Sequence, residues 1–295
     1  MKNITEQATN KLNIVGKLLD CVFREGTTSS GQHYESANFT VRVTQTYGTR
    51  TETSEIPVSI FATQYTSQNK PHPGYKNIQD LKKMKTIQDV GEAEATTVRM
   101  TGANIRENNF VSKSGQLVNG WQISTSFLNE GKVAEIASFN IDIFIMDMHD
   151  EVNREGDSTG RLIIKGAIVQ YGGKVDVVEF IVEDSDSVNY ISRNWEENKT
   201  VNVGGRIRVT SKEEKRSASE SSWGEELPET STRMVRELII TRGSDEPFDE
   251  DFAYDPSDIK KAFNERKARL EQLQLDAKKG GTTKAAPTSS KYSWE

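Results

Sequence analysis

From Ala37 to Thr44 the chain alternates without interruption: Ala37, Phe39, Val41 and Val43 are apolar, whereas Asn38, Thr40, Arg42 and Thr44 are polar. Side chains of an extended backbone point to opposite faces in turn, so this pattern suits a strand with one face on a core and the other toward solvent or a ligand. The apolar set Ile56, Val58, Ile60 and Ala62 repeats the period and leaves Ser59 and Phe61 on the opposite face. Phe61 is thereby predicted to point away from the core.

These two strands belong to a longer series. Residues 11–63 hold three stretches of strand character, KLNIVGKLLDCVF, YESANFTVRVT and EIPVSIFAT, separated by the turn-forming GTTSSGQ and YGTRTETS. After the prolines of NKPHPGYK, the spacing in NIQDLKKMKTI predicts a short helix. TTVRMTGANIRE and NGWQISTSFL then predict two further strands. Three strands, a helix and two strands is the element order of an OB-fold barrel.

The order recurs in the second half. FNIDIFIMDM, GRLIIKGAIVQY and KVDVVEFIVED read as strands, with a tight YGGK turn before the last. DSDSVNYISRNW reads as a helix, and TVNVGGRIRVTSK and RMVRELIITRG as closing strands around the polar EEKRSASESSWGEELPETST. The fold expected is all-β dominated, an OB-fold barrel twice in tandem, with short helices and a C-terminal helix. The expected organisation is residues 1–132, residues 133–243, and a third region 244–295. The third region opens with the acidic SDEPFDEDFAYDPSD, read as an exposed linker. A helix follows from Pro256, capped by Asp255, with Ile259, Phe263, Leu270 and Leu273 on one stripe, and a flexible end closes the chain.

The net charge of −6 argues at first against a polyanionic partner. The total conceals a gradient: residues 1–90 carry 11 basic and 8 acidic side chains, while residues 91–210 carry 12 and 18. The N-terminal part is the better candidate for contacting phosphates. Cys21 is the single cysteine, which excludes an internal disulfide or a thiolate zinc cluster. No run approaches the roughly 18 apolar residues that span a bilayer, and the N-terminus is polar, so a soluble, cytoplasmic protein without a membrane partner is expected.

Four segments of the first 130 residues resemble the single-stranded-DNA-binding (SSB) protein family, in the right order: NKLNIVGKL at 10–18, SANFTVRVTQTY from Ser36 to Tyr47, EIPVSIFA at 55–62, and VRMTGANIRENNFVSKSGQ from Val98 to Gln116. The resemblance implies an OB fold whose outer face stacks aromatic rings on bases while basic side chains follow the backbone. Carried over by position, the rings are Tyr47, Phe61 and Phe110. Tyr34 and the basic residues Lys17, Arg24, Arg42, Arg50, Arg99, Arg106 and Lys113 are candidates for the same groove, each of the basic residues being equally readable as plain solvated surface. Stacking accepts any base, so low sequence specificity is implied. Two units in one chain point to a phage-type member, in which case the host cytoplasm is its compartment, and homo-oligomerisation stays open.

The family's usual acidic and hydrophobic terminal peptide is not matched by KYSWE. The internal DEPFDEDFAYD has similar chemistry, with Phe248, Phe252 and Tyr254 among carboxylates. It reads either as a docking segment for replication or recombination proteins or as a solvated linker.

Asp147, His149, Asp150 and Glu151 can suggest a metal-dependent nuclease, yet strand parity sends Asp147 and His149 one way and Asp150 the other. No nucleophile, base and orienting acid assemble, no phosphate-loop motif is present, and neither a cofactor nor an enzymatic activity is implied. Trp121 shares parity with Ile123 and Phe127 and is expected in the core, whereas Trp195 and Tyr190 fit either a core or a stacking role. The leading expectation is a protein that coats single-stranded DNA during replication, recombination and repair. The alternative is an OB-fold interaction or assembly module that does not itself bind DNA.

Overall fold

The alternating segments form long strands that curl into closed rings. A computed structural model describes residues 1–112, 114–153, 155–215 and 230–278, with side chains for all of these except 101, 212–215 and 230–233. The first ring is built from β1 (Asn10–Thr27), β2 (His33–Tyr47) and β3 (Arg50–Thr63). Helices α1 (Pro73–Leu81) and α2 (Ile87–Val90) come next, followed by β4 (Thr97–Glu107), a small hairpin of β5 (Phe110–Val111) and β6 (Leu117–Val118), then β7 (Trp121–Ser124) and β8 (Phe127–Glu130). Strand neighbours run β1-β2-β3-β7-β4 and close from β4 back to β1, with β3 and β7 parallel and the other pairs of this ring antiparallel. This is the OB-fold barrel.

The second ring repeats it with β9 (Ile136–Val152), β10 (Ser158–Val169), β11 (Val175–Val182), α3 (Ser185–Asn194), β12 (Thr200–Lys215) and β13 (Thr230–Gly243). Its order is β9-β10-β11-β13-β12, closing on β9, again with the third and last strands parallel. Helix α4 (Pro256–Lys278) follows.

The two opening strands join the barrels. β1 and β9 pair antiparallel from Asn10–Ile141 to Val15–Ile136, which sets Leu12 opposite Phe139. Along β1, Lys17 meets Thr97 at the start of β4; along β9, Phe144 meets Thr200 at the start of β12. Leu12 and Phe139 hold matching places in their barrels, so the junction has an approximate internal two-fold symmetry. Both are buried in one apolar cluster that runs through the two barrels. Asn10, also buried, completes the ladder with its side chain: Nδ2 donates to the Ile105 carbonyl (2.8 Å) and Oδ1 accepts from the Ile105 N–H (3.0 Å). Gly16 marks the bend of β1, where a Cβ would lie 2.3 Å from the Arg42 carbonyl oxygen.

Local chemistry moves some boundaries from their expected places. The first helix begins earlier than residue 77 because His72 caps it, Nδ1 accepting from the Gly74 N–H (3.0 Å), and Pro73 sits at its first turn. The expected fifth strand breaks in two at Thr125, whose hydroxyl donates to the Phe127 carbonyl (2.8 Å). The break resets the alternation: Ile123 and Leu128 are buried, and Phe127 is 48% exposed rather than in the core. Trp121 is half-buried beneath Arg236 of β13, its ring 5.0 Å from the guanidinium carbon. Trp195 is core and Tyr190 is exposed. The polar stretch between the closing strands is partly strand, since β12 and β13 stay paired out to Lys215–Thr230.

The segment read as an exposed acidic linker is tied down. Phe248 N–H donates to the Thr200 carbonyl (2.8 Å) and Tyr254 N–H to the Thr200 hydroxyl (3.1 Å). The Tyr254 hydroxyl donates to the Glu6 carbonyl (2.8 Å), and Lys2 N–H to the Ala253 carbonyl (2.9 Å). Helix α4 starts at Pro256 as expected, buries Ile259 and Ala262, and ion-pairs Arg266 to Glu107 at the end of β4. No helix among the described residues is long and apolar enough to cross a membrane.

Candidate nucleic-acid interface

The outward side chains of the first barrel fall into cross-strand rows, because the registers of β1, β2, β3, β7 and β4 are continuous. Arg24 is opposite Ser36 and Ser36 opposite Phe61, which makes one row. Val22, Asn38, Ser59, Ser124 and Asn104 make the next. Phe61 is 52% exposed, as the alternation of β3 requires between buried Ile60 and Ala62. Its ring centroid lies 5.1 Å from that of Tyr34, the planes tilted by 35°. Tyr34 lies over Gly26, its partner across β1; a Cβ there would sit 2.8 Å from the tyrosine oxygen. A side chain at residue 26 would therefore displace the ring that supports Phe61.

The neighbouring surface is small and polar. Ser124 donates to Asn104 Oδ1 (2.9 Å), which also accepts from Arg106 Nε (3.2 Å) and so aims an exposed guanidinium along this face. Arg99 is exposed on β4 opposite Asn129, on the side of the strand that carries Phe127. Phe127 and Tyr65, the latter 41% exposed just beyond β3, are rings that sequence reasoning did not select. Phe127 was hidden by the strand break, and Tyr65 sits in a loop with no period to reveal its direction.

Other selected residues are engaged elsewhere. Tyr47 ends β2 with its ring 4.4 Å from the Arg206 guanidinium carbon of the second barrel. Its hydroxyl donates to Gln45 Oε1 (2.7 Å), and burial holds its phenol above the ordinary pKa. Arg42 is paired with Glu55 (2.8 Å) and Glu92 (3.6 Å). Lys17 donates to the Ala95 carbonyl (3.2 Å). Arg24 is half-buried within the Phe61 row, Arg50 is exposed at the β2–β3 turn, and Phe110 is half-buried in the small hairpin. Lys113 lies outside the described residues. In the acidic segment Phe252 is 66% exposed, Phe248 is half-buried and Tyr254 is buried.

Beneath the aromatic row a buried carboxylate anchors α1. Glu35 accepts from Gln79 (2.7 Å) and Tyr75 (3.0 Å) and meets Lys82 at 2.7 Å. Burial alone would raise its pKa, but the bonds from Lys82, Tyr75 and Gln79 outweigh burial and hold it below the ordinary value. Donor atoms of Glu25, His33 and Glu35 lie within 4.8 Å of one another, a spacing a cation can use, but Glu35 is already paired with the Lys82 ammonium. His149 Nδ1 and Asp147 Oδ2 lie 2.9 Å apart, while Glu151 pairs with Arg161 (3.3 Å), so these groups are held by neighbours rather than gathered around one point.

A family model described as YorF matches residues 8–276. The chain belongs to the YorF family. Among solved structures, this YorF-family chain is similar to the wild-type single-stranded DNA binding protein from Thermus aquaticus, with a TM-score of 0.51 and 9% identity over 85% of this chain and 99% of the other. A deletion variant of the same Thermus aquaticus protein aligns with a TM-score of 0.49 and 11% identity, over 83% and 97%. At such identity the likeness concerns the fold alone. No curated protein matches the chain significantly.

Proposed function

We propose that this protein binds single-stranded DNA with low sequence specificity across the outer face of its first barrel, and that it coats and protects such DNA during replication and recombination. The observation that carries the reading is Phe61, half exposed on an open sheet face and braced by Tyr34. A large apolar ring left in water by a strand that buries its neighbours serves a partner with flat π-faces, and every unpaired base has one. Arg24 in the same row, with Arg99 and Arg106 on β4, supplies cations for the phosphates. The shared fold with a protein named for single-stranded DNA binding supports the same reading. The test is a fluorescence titration of the full chain with oligo-dT and with duplex of equal length. Salt-sensitive binding of the single strand alone is expected, and equal affinity for both, or none for either, overturns the proposal.

A second reading rests on Phe252, which follows Asp251 and is exposed at the end of the turn that begins at Asp249. A ring flanked by carboxylates fits an apolar slot rimmed by Lys or Arg on a replication or recombination protein. Phe248 and Tyr254 then act as the anchors that present it. Loss of a replication-protein interaction on Phe252→Ala, with DNA binding unchanged, is the expected result.

A further inference from the structure

The two barrels can be laid on each other through their strand registers, position by position. Leu12 pairs with Ala103 and Phe139 with Gly205, so Asn104 and Arg106 of β4 correspond to Arg206 and Arg208 of β12. Asn104 faces Ser124 and Arg206 faces Ile239, which matches Ser124 with Ile239. Ser124 is beside Ser59 and Ile239 beside Ile181 in the two parallel pairs, so Ser59 matches Ile181. Two residues further on, the partner of Phe61 is Glu183. The first barrel places its exposed ring where the second places a carboxylate.

Around Glu183 the second barrel gathers three arginines. Arg206 reaches it at 3.0 Å and Arg161 at 3.8 Å, and Arg208 makes a short bidentate contact. Glu237, opposite Arg208 on β13, takes Arg161 (2.7 Å) and Arg208 (2.6 Å) from the other side. Glu151 adds a contact to Arg161 (3.3 Å), and Glu52 of the first barrel one to Arg206 (3.7 Å). Among the described residues, three guanidiniums thus face four carboxylates, a net charge of −1 for these seven groups. All three arginines are at most 23% exposed in their side chains, so the pairs are partly desolvated and not easily exchanged for solvent or a phosphate. The charges are fixed as well: burial would raise the Glu237 pKa, but Arg161 and Arg208 hold it below the ordinary carboxylate value.

We infer that Glu183 closes the second barrel to nucleic acid, occupying the stacking position and neutralising the arginines that would otherwise follow a phosphate backbone, so that each chain engages single-stranded DNA through its first barrel alone. This rests on the single-stranded-DNA reading above and sets its footprint. A position that offers a carboxylate in place of a ring, with Arg161, Arg206 and Arg208 around it already paired, gives a base no ring to stack on there and leaves these three arginines little counterion to release. The second barrel then acts as a rigid support, touching the first through β1–β9 and through the Tyr47–Arg206 contact.

The experiment is ultraviolet cross-linking of the full wild-type chain to oligo-dT, with the cross-linked peptides mapped, alongside titrations of Glu183→Gln and Glu183→Phe. Cross-links confined to the first barrel are expected from the wild type. The Glu183 variants, shown folded by circular dichroism, are expected to occlude a longer stretch of DNA and to bind about tenfold tighter at low salt, because cations are released for phosphate contacts. Wild-type cross-links in β10–β13, or an Arg208→Ala loss as large as that of Phe61→Ala, overturn the inference while leaving single-stranded DNA binding intact. Should a Glu183 variant fail to fold, the wild-type cross-links alone decide. A wild-type chain that binds no single strand overturns the underlying reading, and this inference with it.

Discussion

Tyr47 of the first barrel lies under Arg206 of the second, ring centroid to guanidinium carbon 4.4 Å, although the family resemblance places Tyr47 among the rings that meet bases. The same β2 tip supplies Gln45, whose Oε1 accepts from both the Tyr47 hydroxyl (2.7 Å) and the Ala137 N–H at the start of β9 (2.8 Å). Further along, Ser54 of β3 accepts from the Val209 N–H of β12 (3.1 Å). The β2–β3 hairpin is therefore a strut between barrels.

Two aromatic residues of the same hairpin should consequently behave differently. Tyr47→Ala should cost about 1 kcal/mol of stability, the usual scale of a partly desolvated cation–π contact, and little DNA affinity. Thermal melting and oligo-dT titration of the one variant separate these effects. A large affinity loss at unchanged stability would show that Tyr47 leaves Arg206 to meet a base.

Phe61→Ala removes a ring already half in water, so the fold should tolerate it. Affinity for single-stranded DNA should fall by about 1–3 kcal/mol, the range for one stacked base. Gly26→Ala, which pushes on the Tyr34 ring, should give a smaller loss of the same kind. Fluorescence titration at fixed salt reads both.

Acid should weaken the attachment of α1. The Glu35 carboxyl is held below its unfolded pKa of 4.5 by Lys82, Tyr75 and Gln79, acting against burial. A group with a depressed folded pKa contributes stability that is fully present above the unfolded value and lost as pH falls through the folded one. Urea midpoints should therefore drop as the pH is lowered below about 4.5, and less steeply in Glu35→Gln. That variant should also be less stable at neutral pH, because Lys82 loses its buried partner.

Cys21 should resist alkylation in the folded protein. Burial, with Asp20 adding to it, pushes the thiol pKa up to about 12, so almost none is thiolate at neutral pH. Mass spectrometry after brief iodoacetamide treatment should show little labelling until denaturant is added. Rapid native labelling would mean that β1 opens near its Leu18–Asp20 bulge.

The amino-acid order by itself determined the strands, the helix between the third and fourth, their repetition, and the outward direction of Phe61, because a two-residue period is a local property that each strand carries alone. Only tertiary structure decided that Tyr254 would be buried against Glu6, that Tyr47 would face Arg206, and that Glu183 would hold the place of Phe61. Those outcomes depend on which distant strand lies opposite. Register across a closed barrel is fixed by the packing of the whole ring, which no local pattern encodes.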